Sequence, residues 1–295
     1  MSTSDTFVSA SPVGPLARAV RAMTGYRQSE ITQRLHRGLP SATLTFVLSL
    51  DNPVVVGGTA DDPSPVAAYA LLGPLADRPA YIQQPDHQQG VQLAVHPLAS
   101  RAIFGVPASR LPGLSLDAAD VTGPDVERLR QRIGAEPDWE DRFAAVHQTI
   151  ARLARSRTGV AAQAPRREVV EGWRWILARG GNGRVDDLAE HVALSSRQLR
   201  TVFVEEVGFG PKVLSRLVRF ERAVAAIRDA ELRADGRHDG PYGPSRLADV
   251  AATTGYADHA HLVREFRVLA GTSPTGWLAE ERRNIQAGGH RHEAA

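Results

Sequence analysis

The chain has 295 residues, 42% of them hydrophobic, with 35 Lys or Arg against 33 Asp or Glu and no cysteine. That is enough apolar material for two domains and a sizeable core. The absence of cysteine excludes disulfides, thiol redox sensing and thiolate metal sites, and no apolar run is long enough to span a bilayer. The N-terminal MSTSDTFVSASPVGP lacks the charged-then-apolar order of a secretory signal, so a cytoplasmic chain is expected. Residues 166–285 hold 19 Lys or Arg against 17 Asp or Glu. If nucleic acid is a partner, its basic groups must be sorted onto one face rather than be in gross excess. Lys212 is the only lysine; this arginine bias is what a GC-rich genome gives.

In chain order, residues 1–15 are small, polar and proline-containing, which predicts a disordered tail. Leu16 to Met23 fits a helix or a lead-in strand. From Ala42 to about Pro97 the texture is that of strands: TLTFVLSL (Thr43–Leu50) and PVVVGG (Pro53–Gly58), with Asp51-Asn52 as a hairpin turn, then AAYALLGPL, AYIQQP and GVQLAVHP. Short strands with Gly and Pro punctuation predict a small barrel or sandwich over residues 16–122.

Beyond Gly123 the period becomes helical. Val126, Leu129 and Ile133 fall on one face, and Trp139, Phe143, Val146, Ile150 and Leu153 repeat as a two-heptad seam. This helical segment, 123–158, either packs on its own barrel or dimerises through those five residues. Residues 159–167 read as a linker. Glu168 to Arg179 is an amphipathic helix with Trp173 and Ile176 inward, stopped by Gly180-Gly181. Pro211 to Ala230 is one long helix, with Pro211 in its first turn. ELRADGRHDGPYGPS (Glu231–Ser245) is polar and Gly/Pro-rich and predicts a surface loop. A disordered tail is expected over 286–295.

Two stretches repeat one another: VDDLAEHVALSSRQLRTVFVEEVG (Val185–Gly208) and LADVAATTGYADHAHLVREFRVLAG (Leu247–Gly271). Each reads as a short helix with a small residue (Ala189, Ala251), a tight turn and a longer second helix, the pattern of a helix-turn-helix. Leu188, Leu199 and Phe203 supply an inward set in the first unit; Val250, Leu262, Phe266 and Leu269 do so in the second. Ser195 and Asp258 stand where they can cap the second helices, and Gly255 permits the sharp turn. The outward positions are Ser196, Arg197, Arg200, Thr201 and Glu205 in the first unit and His259, Ala260, His261, Arg264 and Arg267 in the second.

Residues 184–282 resemble the DNA-binding domain of AraC-type (AraC/XylS) transcription regulators. The resemblance rests on the order of apolar positions, on Leu199/Phe203 and Leu262/Phe266, and on the terminations Gly208-Phe209-Gly210-Pro211 and Gly271-Thr272-Ser273-Pro274. It implies an all-α DNA-binding domain over 168–285 whose two units, joined by the long helix, read adjacent major-groove segments of double-stranded DNA. It places base contacts on Arg197, Arg200, Thr201, His259, His261 and Arg264. Phosphate contacts are expected from Ser195, Ser196, Lys212, Arg216, Arg219 and Arg267; for Lys212, Arg216 and Arg219, on the connector helix, ion pairs to Glu205, Glu206 or Glu221 compete. The implied role is a sequence-specific regulator, an activator by expectation, acting with RNA polymerase on the nucleoid. Two departures stand out: Ala193 occupies a position that is usually glycine, and the 231–245 segment makes the connection longer than usual.

The N-terminal half carries less. RAIFGVPASRLPGLSLDAADVTG (Arg101–Gly123) is similar to the end of a small β-domain found ahead of such readers, which implies an effector-sensing or dimerising role, with a small-molecule effector and a homodimer as the partners it allows. Phe46, Tyr69 and Tyr81 are the candidates to line an effector pocket, with core packing as the plainer reading. His36, His87, His96 and His147 lack metal-ligand spacing within the barrel, so neither metal nor other cofactor is expected. The overall class is α+β in two domains. Two alternatives remain at this stage: a cupin-like enzyme with an accessory helical domain, and a non-specific DNA-binding protein. The first lacks a nucleophile–base pair or phosphate loop in the sequence, and the second is disfavoured by the low net charge.

Overall fold

The computed structural model describes residues 5–156, 164–234 and 244–286. Its N-terminal half holds two antiparallel sheets. The larger runs in the order β1 (Thr6–Ala10), β2 (Val20–Gln28), β9 (Gln88–Val95), β4 (Leu44–Ser49), β7 (Ala70–Gly73) and β10 (Leu116–Asp117); the smaller runs β3 (Leu35–Gly38), β8 (Ala80–Gln83), β5 (Val54–Gly57) and β6 (Val66–Ala68). The sheets stack as an open sandwich, and among the described residues neither closes into a barrel.

Register explains the two cores. Met23 lies opposite Leu93, Leu93 opposite Phe46, Phe46 opposite Leu72, and Leu72 opposite Leu116. Alternation along a strand sends that whole row to one face, where it is buried with the helices. The neighbouring row sends Val47 and Leu71 the other way, to meet Val56 and Ala68 of the smaller sheet, with Tyr26 beside them. The helices that cover the first face are α1 (Ser100–Phe104), α2 (Ala119–Thr122), α3 (Pro124–Ala135) and α4 (Trp139–Ser156).

Several expectations change here. Strand β1 lies inside the stretch 1–15 expected to be a disordered tail; Phe7 and Val8 pair with Tyr26 and Gly25, so β2 offers the chain a partner edge that composition cannot reveal. The sheet domain therefore starts before residue 16. Asp51-Asn52 is not a hairpin turn: β4 pairs with β7 and β9, whereas β5 pairs with β6 and β8, so the turn carries the chain from one sheet to the other. AAYALLGPL is two strands in different sheets, divided at Tyr69. Leu16 to Met23 splits between a 3-10 turn (Gly14–Arg18) and the start of β2.

The helical seam resolves within the chain. Phe143, Val146, Ile150 and Leu153 are all buried, none more than 7% exposed, and Trp139 packs so closely on β2 that a Cβ at Gly25 would sit 2.3 Å from its ring. Those four side chains have almost no surface left to give a second copy, and Trp139 is half-buried. They belong to the helix-on-sheet packing that the same spacing equally allowed.

The remaining helices are α5 (Arg167–Ala178), α6 (Val185–His191), α7 (Ser196–Val207), α8 (Pro211–Ala234), α9 (Pro244–Thr254), α10 (His259–Ala270) and α11 (Pro274–Gln286). The 159–167 linker falls mostly outside the described residues, as do most of the 231–245 loop and nearly all of the 286–295 tail. One apolar cluster runs from the larger sheet through α4 and α5 into both reader units. His96 meets Trp173 across this join, ring centres 5.0 Å apart.

Candidate nucleic-acid interface

Each repeat forms two helices joined by a tight turn. In the first, α6 leads through Val192–Leu194 to Ser195. That serine accepts a hydrogen bond from the Gln198 backbone N–H at 3.3 Å, while the Gln198 side chain accepts from the Ser195 N–H at 3.0 Å. This reciprocal capping box satisfies two otherwise unpaired donors and sets where α7 begins. In the second, Asp258 accepts from the His261 N–H at 2.6 Å and starts α10. Gly255 turns at φ +87° and Ala193 at φ +56°. Both perform the left-handed step between helices, which costs an alanine but not a glycine.

Four landmarks bring the two second helices into step. They are the caps Ser195 and Asp258, the buried Leu199 and Leu262, the buried Phe203 and Phe266, and the left-handed terminators Gly208 and Gly271. In this register Arg197 corresponds to Ala260, Gln198 to His261, Arg200 to Val263, Thr201 to Arg264 and Val204 to Arg267. The base-contact positions expected from sequence are thus not matched one to one between the units.

Arg197, Arg200 and Thr201 are exposed on α7, as are Arg264 and Arg267 on α10. Among the described residues these four arginines enter no ion pair. The absence of a side chain at Gly210 leaves space beside the Arg200 stem, 3.4 Å from where a Cβ would stand. Thr201 donates its hydroxyl to the Arg197 carbonyl at 3.1 Å, so it presents mainly its methyl group. His259 and His261 are only half exposed. His261 accepts the Ala257 N–H on Nδ1 at 3.3 Å and lies edge-on to Tyr256.

The expected phosphate contacts divide. Lys212 is exposed at the start of α8. Arg216 and Arg219 are internal struts instead. Arg216 makes a two-pronged ion pair with Glu265 of α10, at 3.0 and 3.1 Å, which neutralises it and holds its pKa above the usual arginine value. Arg219 lies over the Tyr256 ring at 5.1 Å. Burial pushes the Tyr256 hydroxyl up to about 12. Neither pairing matches the ion pairs to Glu205, Glu206 or Glu221 expected from sequence. The Ser195 hydroxyl is committed to its cap, and Ser196 donates to Asp186 at 2.7 Å, so neither hydroxyl is free for phosphate without exchanging partners.

Sequence reasoning missed how firmly the sheet domain holds the readers. Arg101 clasps Glu206 of α7 at 2.8 and 3.0 Å, and Ser109 donates to the Glu205 carbonyl at 2.5 Å. Arg37 clasps Glu280 of α11 at 2.8 and 3.1 Å and donates to the Ala270 carbonyl at the end of α10. Glu221 of α8 accepts from the Ala42 N–H and from Arg21; its burial raises its pKa, and those two donors oppose the rise. These partners lie from 96 to 243 positions apart, a range at which no sequence pattern pairs them.

The effector-pocket candidates do not converge. Phe46 is a core residue, edge-on to Phe104 at 5.4 Å. Tyr69 is 43% exposed beneath Arg130. Tyr81 is tied to Arg37 by a 2.8 Å hydrogen bond to its hydroxyl. Alternation places Phe46 on one face of the larger sheet, while Tyr69 sits at the corner between sheets, so the three cannot line one cavity. A shallow depression lies elsewhere, lined by Ile31, Arg34, Asp86 and His87 among others.

No known family model matches the chain, and no curated relative matches it. Solved structures share its layout at low identity. ToxT from Vibrio cholerae O395 matches at 12% identity and a TM-score of 0.49, over 87% of this chain and 96% of that one. Unsaturated fatty acid bound wild-type ToxT from Vibrio cholerae strain SCE256 matches at 10% and 0.47, over 94% and 95%. A probable AraC family transcriptional regulator from Rhodopseudomonas palustris CGA009 matches at 20% and 0.31, over 39% of this chain and 97% of that one. Likeness at these values assigns no function.

Proposed function

We propose that this chain is a sequence-specific DNA-binding transcription regulator of the AraC type, an activator that works with RNA polymerase. In this reading α7 and α10 each enter a major groove, and the sheet domain is the part through which a small-molecule effector or a second copy acts. One observation carries the reading: two helix-turn-helix units of one chain each present a capped second helix with unpaired, exposed arginines. Helix α8 connects them. The second unit packs on the first half of α8, through Arg216 on Glu265 and Phe220 edge-on to Phe266, which supports two readers held in one fixed relation. The low net charge also fits a reader that depends on placed contacts rather than on bulk phosphate neutralisation.

The test is selection of bound fragments from sheared genomic DNA at near-physiological salt, followed by binding assays on the recovered site. Wild-type protein enriches one motif with two blocks about a helical turn apart. Arg200→Ala and Arg264→Ala each weaken that site by about 1–3 kcal/mol and leave scrambled DNA almost unaffected. If both variants bind every sequence as the wild type does, the reading is wrong.

A further inference from the structure

The two readers carry different chemistry, and the caps make the comparison position by position. With Ser195 aligned to Asp258 and Phe203 to Phe266, the first helix offers Arg197 and Arg200 where the second offers Ala260 and Val263. The third position in step, Gln198 and His261, is used in both units to secure the start of the helix: Gln198 in its capping box, His261 through its bond to the Ala257 N–H. The fourth is Thr201, its hydroxyl spent on Arg197, against the exposed Arg264.

Base edges are met by the N-terminal turns of a recognition helix, so these are the positions that decide preference. A guanidinium forks onto guanine O6 and N7, whereas a small apolar side chain discriminates by touching the thymine 5-methyl group. Resting on the DNA-reading function proposed above, we infer that the binding site is chemically asymmetric: α7 reads a guanine-bearing block and α10 reads a block defined by thymine methyl groups. Ala260 and Val263 supply the apolar contact. Arg264, in step with Thr201, supplies the second helix's one charged contact among these positions. Such a site is not a repeat of one half-site, although the two units repeat one pattern of cap, Leu, Phe and Gly, and it fixes the direction in which the protein lies on the duplex.

The experiment uses the full chain and the duplex recovered by selection. The block whose base preference relaxes in Arg200→Ala belongs to α7. In each block in turn, thymine is replaced by deoxyuridine, which lacks the methyl group, or guanine by 7-deazaguanine, which lacks N7. Deoxyuridine is expected to weaken binding about fourfold per methyl in the α10 block and to leave the α7 block unaffected. 7-Deazaguanine is expected to weaken it about tenfold in the α7 block. Val263→Arg is expected to shift the α10 block toward guanine. Two blocks that respond alike to both replacements, or the reverse assignment, overturn this inference while leaving sequence-specific binding intact. Failure to enrich any motif overturns both readings together.

Discussion

The Arg101–Glu206 clasp offers the sharpest test of how the sheet domain holds the first reader. Glu206 is 6% exposed on the back of α7, and Arg101 meets it with two hydrogen bonds, at 2.8 and 3.0 Å. The pair is largely withdrawn from water, with side-chain exposures of 17% and 7%, so its net value against an apolar replacement is small. Deleting one partner is another matter, because the survivor is left charged and desolvated. Arg101→Ala strands the carboxylate and should cost about 3 kcal/mol, the low end for a broken buried pair, or over a hundredfold in the folding equilibrium. Arg101→Ala with Glu206→Leu removes both charges and should recover more than half of that loss. Urea unfolding of wild type, both single variants and the double variant gives the coupling energy directly. A loss below about 1 kcal/mol for Arg101→Ala, the range of exposed pairs, would mean that water reaches the clasp and that the sheet domain does not grip α7 as described.

Other consequences follow from single positions. Ala193→Gly relieves the left-handed turn at φ +56° and should stabilise the chain by about 1 kcal/mol, read as a rise in thermal midpoint; a fall would show that glycine's extra freedom in the unfolded chain outweighs the strain. Ser195→Ala and Asp258→Ala each remove a cap and should cost about 1 kcal/mol, with Ser195→Asn nearly neutral in the same melt. Gly25→Ala places a Cβ against the Trp139 ring and should destabilise by about 1–3 kcal/mol, with quenching or shift of tryptophan emission as the second readout. Burial, aided by Arg21, lowers the His96 pKa to about 4. The folded state therefore resists protonation that the unfolded chain accepts near 6.5, so stability is full above pH 6.5 and declines as pH falls toward 4, by roughly 3 kcal/mol in all. His96→Asn, which keeps an acceptor for the Leu98 N–H, should flatten that slope; an unchanged slope would assign it to other groups.

The reader units were legible in the sequence because everything that specifies them is local. A cap three residues ahead of its N–H, a small residue where helices cross, a terminal glycine, and Leu and Phe at helical spacing all act within about twenty positions, and each has one stable solution. The helical faces of α3 and α4 were legible for the same reason, though period alone could not say whether the α4 seam meets a sheet or a second copy. Tertiary structure shows the seam meeting the larger sheet, with Phe143 buried in the core and Trp139 half-buried over Gly25. It also decided that Asp51-Asn52 changes sheets, that β1 joins an edge, that Arg216 pairs with Glu265 and that Arg219 lies over the Tyr256 ring. The clasps from Arg37, Arg101 and Arg21 to the readers belong to the same class. An arginine side chain looks the same in sequence whether it will be solvated, paired or laid over a ring. What separates these fates is which surfaces burial brings together, and that is a property of the whole chain's packing rather than of any stretch of it.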